Sequence, residues 1–514
     1  KDAPAESVKN VLDLVSVYRA LNRPEEAELL LTGWIKKLTK APHLQARLQY
    51  ELTMLHLTTH CRDIHSVGYR DAIKLAGKHL KALDKLRKEK QVPSEEDMSP
   101  LYFRYGDLLQ NNPEKSREAL KAVSKALELM PDNPLYFTVL AECILLRNID
   151  MAQATISLFR GALEKNVTDL KALIPLGIDA IPAWFAVGRC HFFLGNPNEC
   201  IKAYLNAVDI IMNNDYTSNR CVIDAEIDRA GRFKQLKKPL AEQIRLCLNI
   251  AMAVSEKSTD QEFYRTALEG VQIRKEPMKT PVVIVAGGAS LMKETKADRY
   301  REYIEELMLG FKGTIISGGT TAGIPGLVGK VKAELEQSGQ IDFDLLAYLP
   351  ENLPKDAVPS KAYDHSYETD SKTFSALDIF SCWADIVLSG IHPAQVVLIG
   401  IEGGEMAGME YRTALALGAK VGLVAYSGRA AFEFINEEPW KDHANLIQLP
   451  NDPLTLWALV NQTAETTLSM EETEKLAPLV HDFYRRERLK DLNPGATDIN
   501  QYKVVMEWDK LDQA

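Results

Sequence analysis

The hydrophobic pattern changes period once, near residue 280, and that change limits the folds open to this 514-residue chain. Before it, apolar residues recur at three- and four-residue intervals, broken by short runs of Asn, Pro, Asp and Gly, which is the period of helices packed on one another. After it, short β-branched runs alternate with helical stretches, the signature of a parallel sheet with crossover helices. The chain is also too long for one core. The reading is therefore an α plus α/β multidomain protein: a helical region over 1–270, a polar linker at 271–280 (VQIRKEPMKT), a doubly wound α/β domain over 281–465 and a helical tail over 466–514.

Within the helical region the best-formed unit runs from Pro182 to Ile211. Counted in a repeat of about 34 residues, Trp184, Gly188, His191, Gly195, Cys200, Tyr204 and Ala207 take the small and aromatic positions. Small residues let one helix approach the next, and large ones fill the groove of the following pair. Weaker copies begin at Tyr102 (Gly106, Leu109, Ala119 and Ala126, closed by the turn Pro131-Asp132-Asn133-Pro134) and at Tyr136, and Val17–Leu38 reads as a diverged first repeat. Over about 200 residues these features resemble the tetratricopeptide repeat family, which implies an α-solenoid whose concave face binds a protein. A plain helical bundle is the alternative.

In the second half, strands are expected at Val282–Val285, Thr314–Ser317, Phe343–Ala347, Asp385–Leu388, Val396–Ile399, Val421–Val424 and Leu446–Leu449. Helices are expected at Asp298–Leu309, Ile324–Leu335, Phe374–Cys382, Gly408–Leu417 and Pro453–Thr463. Three glycine-rich turns follow strands, at the sheet edge where open α/β sheets bind ligands. The first carries Gly287, Gly288 and Ser290. The second, Gly318-Gly319-Thr320-Thr321-Ala322-Gly323-Ile324-Pro325-Gly326, opens a helix. Its glycines would bring backbone amides to an anion, and either threonine would cap the helix or donate to a phosphate. The third, Glu402-Gly403-Gly404-Glu405, runs into a helix whose first turn is expected to carry Glu410, placed to accept from a ribose hydroxyl. Arg429, after the strand Val421–Val424, is a phosphate partner or a plain surface arginine. His365, Tyr363 and Tyr367 fall in a long loop, Pro350–Ser371, read as a lid, and His392-Pro393 as a turn.

The pair GGTTAGIPGLVG and GIEGGEMAGMEYRTALALGAKVGL is similar to the SLOG superfamily, the DprA/Smf–Lonely guy-like proteins, over about Thr280–Thr463. The resemblance implies a Rossmann-like nucleotide-binding domain, with Gly403, Gly404, Gly408 and Glu410 matching its second loop at a different gap and without its threonine. Its enzyme branch hydrolyses nucleotides with an arginine on the helix before that loop. Here that helix, Thr373–Trp383, has none, and Lys372 is the nearest base. The sequence looks closer to the sensor branch, which binds ADP-ribose-like or cyclic nucleotides. It particularly resembles bacterial proteins, some in antiviral signalling, that end in a ryanodine-receptor-type repeat. Leu476–Arg486 and Glu507–Leu511 resemble that repeat, or form a capping helix.

The expected function is thus an intracellular sensor that binds a nucleotide-derived ligand and signals through the repeats. A nucleotide or NAD-metabolite N-glycosidic hydrolase using Glu410 or Glu405 is the first alternative, and a ligand-free scaffold the second. Expected partners are a nucleotide-like small molecule and a protein bound by the repeats, with homo-oligomerisation open and no resident cofactor. The net charge of −10 argues against a broad nucleic-acid or membrane surface. Seven scattered cysteines, none in a C-x-x-C pair, argue for a reducing, cytoplasmic setting and against a metal site. No apolar run approaches the ~20 residues of a membrane helix, and no signal peptide is read at the start. The chain opens on Lys1-Asp2-Ala3-Pro4 rather than Met, which leaves room for a preceding effector domain.

Overall fold

The computed structural model describes residues 3–461 apart from 22, 39–40, 60–66, 89–94, 178, 214–219, 237–238, 256–260, 290–293, 340, 356 and 451. The expected tail at 466–514, with its ryanodine-receptor-type resemblance, lies outside the described residues, as does Ser290.

The first half is helical: α1 (Ala3–Ala20), α2 (Pro24–Lys37), α3 (Pro42–Thr59), α4 (Val67–Lys88), α5 (Glu95–Leu109), α6 (Ser116–Leu129), α7 (Pro134–Arg147), α8 (Ala152–Leu173), α9 (Ala180–Leu194), α10 (Pro197–Asn213), α11 (Arg220–Phe233), α12 (Pro239–Val254) and α13 (Gln261–Glu269). Sequence-adjacent helices pack on one another, α5 on α6 and α9 on α10 most extensively. Glycine permits this approach. A Cβ on Gly188 would lie 2.6 Å from the Tyr204 ring, and one on Gly106 2.6 Å from Val123. The turn before α7 closes as its residues require, because Asn133 accepts from the N–H groups of Leu135 (3.0 Å) and Tyr136 (3.3 Å) and Pro134 starts the helix.

The second half contains β1 (Val282–Gly287), α14 (Glu294–Ala297), α15 (Arg301–Met308), β2 (Lys312–Ser317), α16 (Gly323–Gln337), β3 (Asp342–Pro350), β4 (His365–Thr369), α17 (Ala376–Leu388), β5 (Val396–Ile401), α18 (Glu405–Ala416), β6 (Lys420–Val424), α19 (Arg429–Ile435), β7 (Leu446–Leu449) and α20 (Pro453–Asn461). All neighbouring strands are parallel, in the order β4-β3-β2-β1-β5-β6-β7. The order reverses between β1 and β5, paired in register from Val282 opposite Val396 to Gly287 opposite Ile401. A crevice opens at such a reversal beyond the strands' carboxyl ends, because the two following connections leave toward opposite faces.

Two expectations about this sheet are corrected. Asp385–Leu388 is not a strand but the last turn of α17. A short apolar run reads the same in a buried helix as in a buried strand, and α17 is buried on nearly every side. The segment Pro350–Ser371 is not all loop, since its last part forms the edge strand β4, pairing Leu346 with His365 through Pro350 with Thr369. Its polar composition, HSYET, carries no core-facing alternation to betray it.

The segment expected as a linker is strapped onto α17. Asp385, buried, accepts from the N–H groups of Ile273 (3.0 Å) and Arg274 (2.9 Å) and from the Tyr348 hydroxyl (2.7 Å). Arg274 in turn donates to the Tyr367 hydroxyl (2.7 Å), and the Met278 N–H to Ser389 Oγ (3.1 Å). One apolar core runs from the later helices into the sheet layer, with α10 against α18 and α12 and α13 against α17. Asn213 also donates to the carbonyl of Leu415 (3.1 Å). A network of charge buried among the helices joins Arg189 to Glu142 and Glu226 (2.5 Å each) and Arg229 to Asp107 (2.6 Å).

Candidate functional site

A cavity of about 430 Å³ occupies the crevice between β1 and β5. That size lies within the range of small-molecule sites. Its floor is apolar, built from Ile284, Ile316, Leu398, Ile379, Cys382 and Trp383, with Phe374 and Met406 at the sides. Polar groups enter from the end of β2, the second glycine turn, α17, α18 and the start of α19: Ser317, Thr320, Ser375, Asp378, Glu405, Glu410 and Arg429. The turns at 318–326 and 402–410, eighty residues apart in sequence, therefore face one space.

Several amides of the second turn are taken by the chain itself. The N–H of Ile324 donates to Gly288 O (2.8 Å), that of Thr321 to Val358 O (2.8 Å) and that of Gly326 to Ala322 O (3.2 Å), while Pro325 has none. Packing requires glycine at several of these positions. Gly323 has φ +57, and a Cβ there would sit 2.1 Å from Gly288 O. A Cβ on Gly319, at φ +72, would lie 2.5 Å from Ala347 Cβ, and one on Gly326 2.1 Å from Thr321 O. Gly287 and Gly318 do line the cavity, whereas Gly288, Gly319, Thr321, Gly323 and Gly326 do not. Thr320 is the polar contribution of this turn. It is 4 % exposed, faces the cavity, and its hydroxyl has no hydrogen-bond partner among the described residues. A buried hydroxyl without a partner forgoes about 1–3 kcal/mol, so it marks a place where a ligand would complete the bonding.

The third turn divides its roles. Glu402 is 1 % exposed, adopts φ +56, and turns its carboxylate away from the cavity onto Lys296 (2.5 Å), while its N–H donates to Ser427 Oγ (2.9 Å). Gly403 lines a second, adjoining cavity, and Gly404 and Glu405 line both. Helix α18 starts at Glu405, so Glu410 stands on its second turn rather than its first. The Glu410 carboxyl reaches the first cavity and has neither an ion-pair nor a hydrogen-bond partner among the described residues. Burial, followed by the neighbouring Asp378 charge, pushes its pKa up to about 8. Asp378 is itself held by the Thr369 and Ser371 hydroxyls and by the Ser375 N–H (2.8 Å), which makes it the capping acid of α17. Arg429 begins α19 at φ +51 with its side chain exposed toward both cavities and no acidic partner among the described residues.

The segment expected as a lid touches the cavity, but not through the residues singled out in it. Pro354 and Ala357 line the cavity, and Ser360 N–H donates to Gly319 O (2.8 Å), which holds the segment across the second turn. Tyr363 instead donates to Pro325 O (2.9 Å), Tyr367 belongs to Arg274, and His365 is on β4. Lys372 pairs with Glu351 outside the cavity lining. Reading the sequence overlooked the α17 wall, whose all-round apolarity looked like core, and Lys202 of α10, which reaches the second cavity from 200 residues upstream. Cys143, Cys190, Cys247 and Cys382 are buried free thiols. Among the described residues there is no cluster with metal-ligand character, and no helix is long and apolar enough to cross a membrane.

Comparison with models of known families and with curated proteins finds no match to this chain. The fold and the site therefore define it only as a helical protein carrying a parallel α/β sheet with a cavity at its strand-order reversal.

Proposed function

We propose that this chain is a ligand-gated regulator that binds a nucleotide-derived small molecule, ADP-ribose-like or cyclic, in the crevice between β1 and β5. One observation carries the reading: an apolar slot wide enough for a flat ring, with the unpartnered hydroxyl of Thr320 and the unpartnered carboxyl of Glu410 facing into it. A base would lie against Phe374, Ile379 and Trp383, and the two polar groups would read its edge or the ribose. Phosphate would sit toward Arg429 and the start of α18, where helix-terminal N–H groups and the helix dipole favour an anion. On this reading the α/β half is a SLOG-type sensor and the helical half a set of tetratricopeptide-type repeats that pass occupancy to a protein partner. The shared core gives the mechanism, because a ligand that prefers one arrangement of α17 and α18 shifts the helices packed on them.

Thermal-shift measurements against nucleosides, nucleotides, ADP-ribose and cyclic nucleotides test the proposal. A ligand at a hundred times its Kd stabilises by about 2.7 kcal/mol, and Thr320→Val and Glu410→Ala should each abolish the gain. No stabilisation by any of these compounds refutes the reading and leaves the helices as a scaffold. A second reading, N-glycosidic hydrolysis, draws support from the Glu410 carboxyl, which stays protonated at neutral pH and so has the state of a general acid. Multiple-turnover release of free base from NAD or nucleoside monophosphates, lost in Glu410→Gln, would establish it over the sensor reading.

A further inference from the structure

Beside the first cavity lies a second, of about 360 Å³, and the two share Gly404, Glu405 and Arg429 as a common wall. The wall is the start of α18. Its N-cap is Gly404, where a Cβ would meet nothing nearer than Arg429 at 3.6 Å, so no side chain stoppers the helix end. The first-turn N–H groups of Glu405, Met406 and Ala407 have no acceptor among the described residues. The N-terminus of α16, by contrast, is closed by Gly288 and Pro325.

Three cations from three elements reach the second cavity: Lys202 of α10, Arg412 of α18 and Arg429 of α19. Arg412 is committed, paired with Glu437 and lying over the Phe434 ring at 4.9 Å. Lys202 pairs firmly with Glu199 (2.7 Å) and only loosely with Glu405 (3.9 Å), whose side chain is 56 % exposed. Arg429 is free of acidic partners among the described residues and holds a left-handed backbone, a strained conformation that proteins keep mainly where it does work. The acids on the walls are Glu405, Glu433 and Glu437, of which Glu437 is neutralised and Glu405 is free to swing into solvent.

We propose that the ligand has a second, anionic arm of the phosphate or diphosphate class, seated in this adjoining cavity by Lys202 of the helical half, Arg429 and the open amides of α18. This inference rests on the reading of the first cavity as the ring-binding slot. The arm displaces Glu405 from Lys202, because that pairing is long (3.9 Å) and the exposed Glu405 side chain can leave for solvent. The helical half thereby becomes part of the binding site, and occupancy ties α10 to α18 through a charge that neither half supplies alone.

The test is isothermal titration of the full chain with adenosine, AMP, ADP and ADP-ribose as probes. Parent protein should bind ADP and ADP-ribose at least tenfold more tightly than adenosine. Lys202→Ala should remove about tenfold of that advantage while leaving adenosine affinity and the ligand-free Tm unchanged, and Lys202→Arg should restore most of it. Glu405→Gln should tighten ADP severalfold, and more than it changes adenosine. Equal affinity for adenosine and ADP, or a Lys202→Ala loss spread evenly over all four probes, overturns the second arm but leaves the first cavity's reading intact. Absence of binding by every probe overturns both.

Discussion

Glu410→Gln is the perturbation that bears most directly on the site. In the unfolded chain this carboxyl titrates near 4.5, and in the folded protein burial and the Asp378 charge hold it up to about 8. Between those values the folded state binds one proton more than the unfolded state, so stability falls as pH rises. The contribution is complete below pH 4.5, erodes from there, and is fully lost once pH passes about 8. The whole displacement corresponds to roughly 5 kcal/mol at about 1.36 kcal/mol per pH unit. Because part of the side chain meets solvent, about half of that, ~2–3 kcal/mol, is the expected effect. Glutamine keeps the shape and cannot ionise, so the variant should match the parent near pH 5 and exceed it by roughly 2–5 °C in Tm above pH 8. The groups facing Glu410 are Asp378 and Cys382 of α17, and neither is altered by the substitution. Scanning calorimetry of both proteins from pH 5 to 9, without added ligand, reads the difference. A gap between the two that is constant with pH would show that Glu410 titrates as an ordinary surface glutamate, and the polar pole of the cavity would lose its basis.

Two further outcomes follow from the packing. Gly323→Ala should cost about 3 kcal/mol and abolish any ligand-induced stabilisation, because its methyl would strike Gly288 O and its φ is left-handed, whereas Gly339→Ala, equally left-handed but in open space, should cost about 1 kcal/mol. Equal losses in calorimetry would refute the close-contact account. Arg189→Met should cost about 3–5 kcal/mol by stranding Glu142 and Glu226 in the helical core, with Glu226→Leu recovering part of the loss in the double variant. A single variant within 1 kcal/mol of the parent by denaturant titration would show that the network is dispensable.

The sequence by itself determined the layers. Periodicity separated the helical half from the alternating half, the Asn133-Pro134 turn and the small residue at 188 followed from local chemistry, and six of the seven expected strands lie on observed ones, because their β-branched runs are bounded by turn residues within a few positions. Tertiary structure decided what local pattern does not encode. A strand and a buried helix share the composition of Asp385–Leu388, and only the sheet edge waiting beside β3 makes a strand of the polar run His365–Thr369. The glycines at 319, 323 and 326 announced a close approach, yet whether that approach was to a ligand or to the chain's own backbone depended on Gly288 and Ala347, which lie elsewhere in the sequence. Lys202 joins the second cavity only because α10 packs on α18. Side-chain identity and spacing are properties of the chain, whereas burial, pairing and the lack of a partner are relations between distant segments that exist only once the core has closed.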